Sequence, residues 1–448
     1  MDEEAAATVS RKSSHSGQTS MEQQPLLGTR LESGENAKFR GLGWKRLTVL
    51  TLVEAIALGS LGLPKAFATL GMVAGVFLCI GIGLVAMHAA YNIGQIKLKY
   101  PHVSHYADYG SLLFGTIGSK LFVISFVLLL IFTIGSHCLT GGIAIKTIFQ
   151  ANVCSTAISA VSAGVLLLLA VPPSFVDVAI LGYIDFASIV VAILVTMIAT
   201  GVQFNGGHGD GSADYVAWSA WPKENLTFTE AIVALNSIVF AYSFGGCLPS
   251  FMDDMHTPKD YVKTLWWLGG IQIILYTLTG SIIYAFVGQT VDSPALLSAG
   301  PAISRVVFAI ALPVIFISGS INTTVVCRYI HGNVFANSTS KNINTFHGWT
   351  TWLGLVVLVT VLAWILAEAI PIFSDILSIS ASLFVSGLSY YIPPILWYLD
   401  LREGAWYDKR NIRSSLVNAF VFAVGAFVLV CGTYASITEL VSNTAVGF

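Results

Sequence analysis

Eleven apolar runs take up most of the chain, and they restrict its fold more than any other feature. They lie near residues 46–69, 71–96, 119–146, 156–172, 177–202, 229–252, 264–288, 302–330, 349–370, 372–399 and 414–438. A nearly uncharged apolar stretch of about 17 or more residues is long enough to cross a bilayer, and in hydrocarbon its backbone can pair only with itself, as a helix. Two boundaries rest on short segments of proline and acid, VPPSFVD after the fourth run and EAIPIFSD after the ninth. A tight turn suits both better than one very long helix. Charged residues make up 10% of the chain, against about 25% in ordinary globular proteins, and mean hydropathy is +0.76. The expected fold class is an all-α integral membrane protein with eleven transmembrane helices.

Lysine and arginine collect in cytoplasmic loops and so orient the runs. With the N-terminus inside, 18 of the 22 fall in the tail and inner loops, Lys65 lies in the first run, and only Lys146, Lys223 and Arg305 fall outside. The sequon Asn225-Leu226-Thr227 lies in the loop 203–228, which this topology places outside. Residues 1–45 are polar and poor in apolar side chains, and read as a disordered cytoplasmic tail without the apolar centre of a signal peptide. In that tail, Glu22 followed by Leu26 and Leu27 resembles an acidic dileucine signal, which would engage sorting adaptors. A net charge of −2 gives no reason to expect nucleic acid as a partner. The six cysteines show no C-x-x-C spacing, so neither a metal site nor a disulfide framework is expected, and no cofactor. No H-E-x-x-H, G-x-S-x-G or paired Asp-rich motif is present, which argues against a membrane enzyme.

Two of the runs carry helix breakers at their centres. The first contains EAIALGSLGLPKAFATLG (54–71), with Gly59, Ser60, Gly62 and Pro64; the sixth contains SIVFAYSFGGCLPSFMDDM (237–255), with Gly245, Gly246 and Pro249. Proline removes a donor and clashes with the preceding turn, and glycine lets the backbone unwind or be closely approached. A single such helix is explained by a kink and close packing. A pair at matching places in two halves points to a transporter's substrate site. The halves would be two five-helix repeats, 46–202 and 229–399, the second inverted because each holds an odd number of helices. They are joined by the outer loop 203–228. Residues 400–448 add an eleventh helix and a short extracellular C-terminus. A broken helix frees N–H groups on one side and carbonyls on the other, a match for a zwitterion. The carboxylate is expected on the backbone of Gly59, Ser60, Leu61 and Gly62. The ammonium is expected on carbonyls around Ala57, Ala241, Tyr242 and Ser243. Phe244 and Gly245 complete the site at the second break.

With these residues in hand, the chain resembles the amino acid/auxin permease family, in the segments 54–71 and 237–255 and also in PPSFVDVAILGYIDF and PALLSAGP…ALPVIFISGSINT. Within that family it is most similar to the fungal neutral amino-acid permeases of the methyltryptophan-resistance type, from about Phe39 to Tyr434. The resemblance implies a LeuT-like fold and import of neutral aliphatic and aromatic amino acids by cation symport, usually with protons. One departure is that Gly245 and Gly246, followed by Leu248 and Pro249, stand where larger residues are expected. A roomier or more mobile pocket floor follows.

Ionisable residues inside membrane helices are functional candidates. Glu54 before the first break, Asp185 in GYIDFAS and His137 in TIGSHCLTGG are the candidates for handling a co-transported proton. Ser318, Asn322 and Thr323 in ISGSINTT are the alternative, oxygen donors for Na⁺. Asp253 and Asp254 are expected to order an inner loop with Lys259 or Lys263, and Glu368 and Asp375 to be solvated or capping. The expected function is a symporter of neutral amino acids working by alternating access in the plasma membrane; a vacuolar exporter and a transport-incompetent sensor are the alternatives.

Overall fold

A computed structural model describes residues 43–103, 105–150, 153–172, 178–207, 218–253, 255–335 and 345–446. The tail with Leu26 and Leu27, Asp254 and the side chain of Glu54 lie outside the described residues. The helices are α1 (Trp44–Leu70), α2 (Met72–Lys99), α3 (Tyr106–Phe149), α4 (Ser155–Ala170), α5 (Val178–Gly207), α6 (Phe228–Ala241) and α7 (Leu248–Asp253). They continue with α8 (Tyr261–Val287), α9 (Pro301–Val334), α10 (Phe346–Ala369), α11 (Phe373–Leu401) and α12 (Ile412–Asn443). By length and composition eight of them, α2, α3, α5 and α8 to α12, can each cross a membrane. α1 passes the same test as a bent pair, while α4 and α6 are shorter apolar helices.

Local chemistry sets where these helices start and turn. Thr227 and Glu230 form a capping box at the start of α6: the Glu230 N–H donates to Thr227 Oγ1 at 3.3 Å and the Thr227 N–H to Glu230 Oε2 at 3.0 Å. Gly71 separates α1 from α2 at φ +81°, and a Cβ there would lie 2.4 Å from the Trp221 carbonyl carbon. Both the left-handed backbone and the close approach demand glycine. The loop after α5 is thereby pinned on this turn, with Met72 N–H donating to Ser219 O at 3.0 Å. α3 begins earlier than the apolar run at 119 suggests, because it is kinked at Phe114 and Gly115 and its first turns belong to a separate short segment.

α1 lies against α8, α6, α5 and α2, and α2 against α8. α3 and α5 both pack on α9, and α10 and α4 on α3. α11 is wound as a π-helix over Ala381–Tyr391, a wide turn often found beside functional sites.

Several polar residues take other partners than the sequence suggests. Lys97, buried at the end of α2, pairs with Asp253 at the end of α7 and also donates to Pro101 O at 2.9 Å. Lys263 is taken by Asp260, its neighbour one turn away, at 2.9 Å. Glu368 accepts from Ser159, and buried Asp375 accepts from Asn443 Nδ2 of α12 at 2.8 Å. Each carboxylate therefore joins two helices, Glu368 while half-exposed and Asp375 from the first turn of α11.

Candidate functional site

The break between α6 and α7 occurs where the glycines and proline predict it. Helical geometry ends at Ala241, Tyr242 departs to φ −102° and ψ 33°, Ser243–Gly246 form a 3-10 turn, and α7 resumes at Leu248. Carbonyls freed here acquire partners from α11. Ser389 Oγ donates to Ser243 O at 3.3 Å, and Tyr390 Oη donates to Val239 O at 3.4 Å, where the Tyr242 N–H also donates. An unpaired backbone group in hydrocarbon costs several kcal/mol, and the Ser389 hydroxyl removes that cost at Ser243 O.

α1 departs from expectation. It stays helical across residues 59–64 and instead bends by 45° between Trp44–Val53 and Ala55–Leu70. The breakers have a packing use: a Cβ on Gly59 would lie 2.7 Å from Ala241 Cα, and one on Gly62 3.3 Å from Leu377 Cδ1. Glycine at 59 thus lets α1 touch the backbone of α6 at the turn where α6 stops. The Ser60 hydroxyl back-bonds to Ile56 O at 2.9 Å, a common way to satisfy serine within a helix. At the new bend, Tyr276 Oη of α8 donates to Ala55 O at 2.7 Å, a tie that sequence reading missed.

A cavity opens between these elements. Ala55, Leu58 and Gly59 of α1 form one wall, and Asn322 of α9 another. Phe240, Ser243, Phe244, Gly246 and Cys247 line it along the break. α3 contributes Phe126, Leu129, Leu130, Thr133 and His137, spaced three and four apart as one helical face. The lower turns of that stripe are apolar and the upper turns polar. Phe126, Leu129, Leu130 and Thr133 were not anticipated, although the helical spacing from His137 marks them.

The expected substrate residues divide into two sets. Gly59, Ser243 and Phe244 line the cavity. Ala57, Ser60, Leu61, Gly62, Ala241, Tyr242 and Gly245 are not among the lining residues. Tyr242 points away, with its hydroxyl 3.4 Å from Cys79 Sγ and its ring 5.2 Å from that of Tyr276. Gly245 faces α11, where a Cβ would sit 3.2 Å from Ser389 Oγ.

The ion candidates also separate. His137 and Asn322 line the cavity, and His137 Nδ1 is buried without a hydrogen-bond partner among the described residues. Asn322 Nδ2 donates to Ser318 O at 3.0 Å, and Thr323 Oγ1 to Gly319 O at 2.9 Å, both within α9. Asp185 of α5 and Ser318 of α9 are fully buried, and Ser318 Oγ donates to Asp185 Oδ2 at 2.9 Å. The proton candidate and one of the sodium candidates are therefore a single contact. It joins α5 to α9, which pack against each other.

Comparison with known proteins follows the same outline. The family model described as "Transmembrane amino acid transporter protein" matches residues 40–438. The "N amino acid transport system protein" of Neurospora crassa is 52% identical over 410 residues, covering 91% of this chain and 87% of that protein. A "Transmembrane transporter" of Gibberella moniliformis is 24% identical over 407 residues, covering 90% and 85%. Among solved structures, Mhp1, a nucleobase-cation-symport-1 family transporter, in a closed conformation with bromovinylhydantoin bound, superposes with a TM-score of 0.55 at 10% identity. That match covers 90% of this chain and 92% of the other. Inward-facing Mhp1 gives 0.55 at 11% identity, covering 89% of each chain. At such identities the likeness is one of fold.

Proposed function

Since the chain belongs to the family of transmembrane amino acid transporter proteins, we propose that it imports neutral amino acids by proton symport through alternating access. It is a multi-pass membrane transporter and not an enzyme. The observation that carries the finer reading is the cavity at the α6–α7 break, bordered also by residues of α1, α3 and α9. An uncharged, largely apolar cavity beside interrupted backbone suits an amino acid with a neutral side chain. The charged ends of the substrate rest on backbone at the break and beside Gly59, and its side chain lies among Phe240, Phe244 and the α3 stripe. α6 and α7 count as one span, so the chain crosses the membrane eleven times with its N-terminus in the cytoplasm. Spans one to five and six to ten form inverted repeats. α1, α2, α6 and α8 rock against the α3, α5 and α9 group, in the plasma membrane. Asp185 is the proton acceptor.

The test is uptake of labelled phenylalanine and leucine into proteoliposomes under a proton or a sodium gradient applied separately. The expected result is accumulation with the proton gradient only. One charge moved across 100 mV releases about 2.3 kcal/mol, enough for a ratio of about fiftyfold at about 1.4 kcal/mol per factor of ten. Sodium-driven accumulation would transfer the coupling to Ser318, Asn322 and Thr323. No uptake with either gradient, in protein shown to be folded, would overturn the reading.

A further inference from the structure

We propose that Gly246 sets the upper size limit of the transported side chain. This rests on the reading of the cavity as the amino-acid site. Gly246 is buried and lines the cavity, yet a Cβ added to it would meet nothing within 4 Å. For a buried residue on a cavity wall, that empty space belongs to the cavity. The other glycines of α1 and of the α6–α7 break have no such freedom. A Cβ on Gly59 strikes the backbone of Ala241, and one on Gly245 presses on Ser389 and Ile93, away from the cavity.

Backbone conformation does not demand glycine here either. Gly246 closes a right-handed 3-10 turn and is absent from the positions of positive φ, so an L-residue fits without strain. What glycine supplies at 246 is therefore space for a ligand. A side chain at this position would compete with the substrate's own for one volume, because close-packed interiors accept extra methylenes poorly. Phe244, two residues earlier on the same turn, lines the same cavity. Together they offer the substrate an aromatic wall with an opening beside it.

The experiment measures uptake inhibition by alanine, leucine and phenylalanine in the wild type, Gly246→Ala and Gly246→Val. Gly245→Ala serves as the neighbour that faces α11. The expected result is graded: Gly246→Val weakens phenylalanine about tenfold or more relative to alanine, Gly246→Ala gives a smaller shift in the same order, and Gly245→Ala leaves the order unchanged. Thermal denaturation in detergent reports folding, and the alanine variant keeps the series readable if the valine variant unfolds. Equal weakening of all three amino acids in folded Gly246→Ala, or no change in their ranking, overturns the proposal. Failure of the wild type itself to take up or bind any of them would overturn the functional reading instead.

Discussion

Asp185→Asn is expected to abolish proton-driven accumulation, a loss of up to about fiftyfold in the ratio reached at 100 mV, while exchange of internal for external amino acid continues. Asp185 has no solvent exposure and accepts a hydrogen bond from Ser318 across the α5–α9 contact. A charge held in such a place costs several kcal/mol unless it is paired. An ionisable side chain inside a membrane helix is a functional candidate by default, and Asp185 is the buried carboxyl to which the proposed proton coupling is assigned. Asparagine keeps the volume and the oxygen that accepts from Ser318, so the fold survives, but it cannot carry a proton. Ser318→Ala makes the complementary test: it removes one neighbouring hydrogen bond, typically worth about 1 kcal/mol, and is expected to slow uptake only severalfold. Uptake assays with and without a gradient, alongside thermal denaturation, separate these outcomes. Wild-type accumulation in Asp185→Asn would remove Asp185 from the mechanism.

Gly59→Val is expected to eliminate uptake and to destabilise the protein by about 3 kcal/mol or more, at the upper end of overpacking costs. The reason is the atom it would strike. At position 59 even a Cβ falls 2.7 Å from Ala241 Cα, and backbone at the end of α6 cannot rotate aside. Either α1 and α6 part or the bent arrangement of α1 is lost, and both deform a cavity lined by residues of each. Gly62→Ala is the mild comparison. Its Cβ meets the tip of Leu377 at 3.3 Å, which can shift by a few tenths of an ångström. It is expected to cost less than about 1.5 kcal/mol and to retain uptake. Denaturation midpoints and initial uptake rates of the two variants check this contrast.

These two glycines also show where sequence reasoning ran out. A glycine inside a membrane helix has two uses, to loosen the backbone or to let another helix come close, and local sequence carries the same letter for both. At Gly59 the answer depends on Ala241, far away in the chain. At Gly245 and Gly246 the break was legible because two glycines and Pro249 remove helix support within a few residues, and the interruption lies there. The apolar runs were legible for a simpler reason: length and lack of charge are strong signals that need no partner. The α3 stripe was missed because Phe126, Leu129 and Leu130 look like any lipid-facing side chains until the neighbouring helices are in place. Lys97 was missed as the partner of Asp253 because nearby lysines in sequence, Lys259 and Lys263, were preferred to one at the end of another helix. Asp185 and Ser318 were recognised singly, as rivals, and only their packing makes them one contact.

A neutral amino acid bound at the α6–α7 break would cover Cys247, one of the residues that line the cavity there. The most direct measurement is the rate at which a small thiol reagent modifies Cys247, read by mass spectrometry with and without saturating phenylalanine. Cys154, exposed before α4, provides the reference in the same sample. The account predicts that phenylalanine slows modification of Cys247 severalfold and leaves Cys154 unchanged. Equal modification of Cys247 in both conditions, in protein that transports phenylalanine, would place the substrate elsewhere and contradict it.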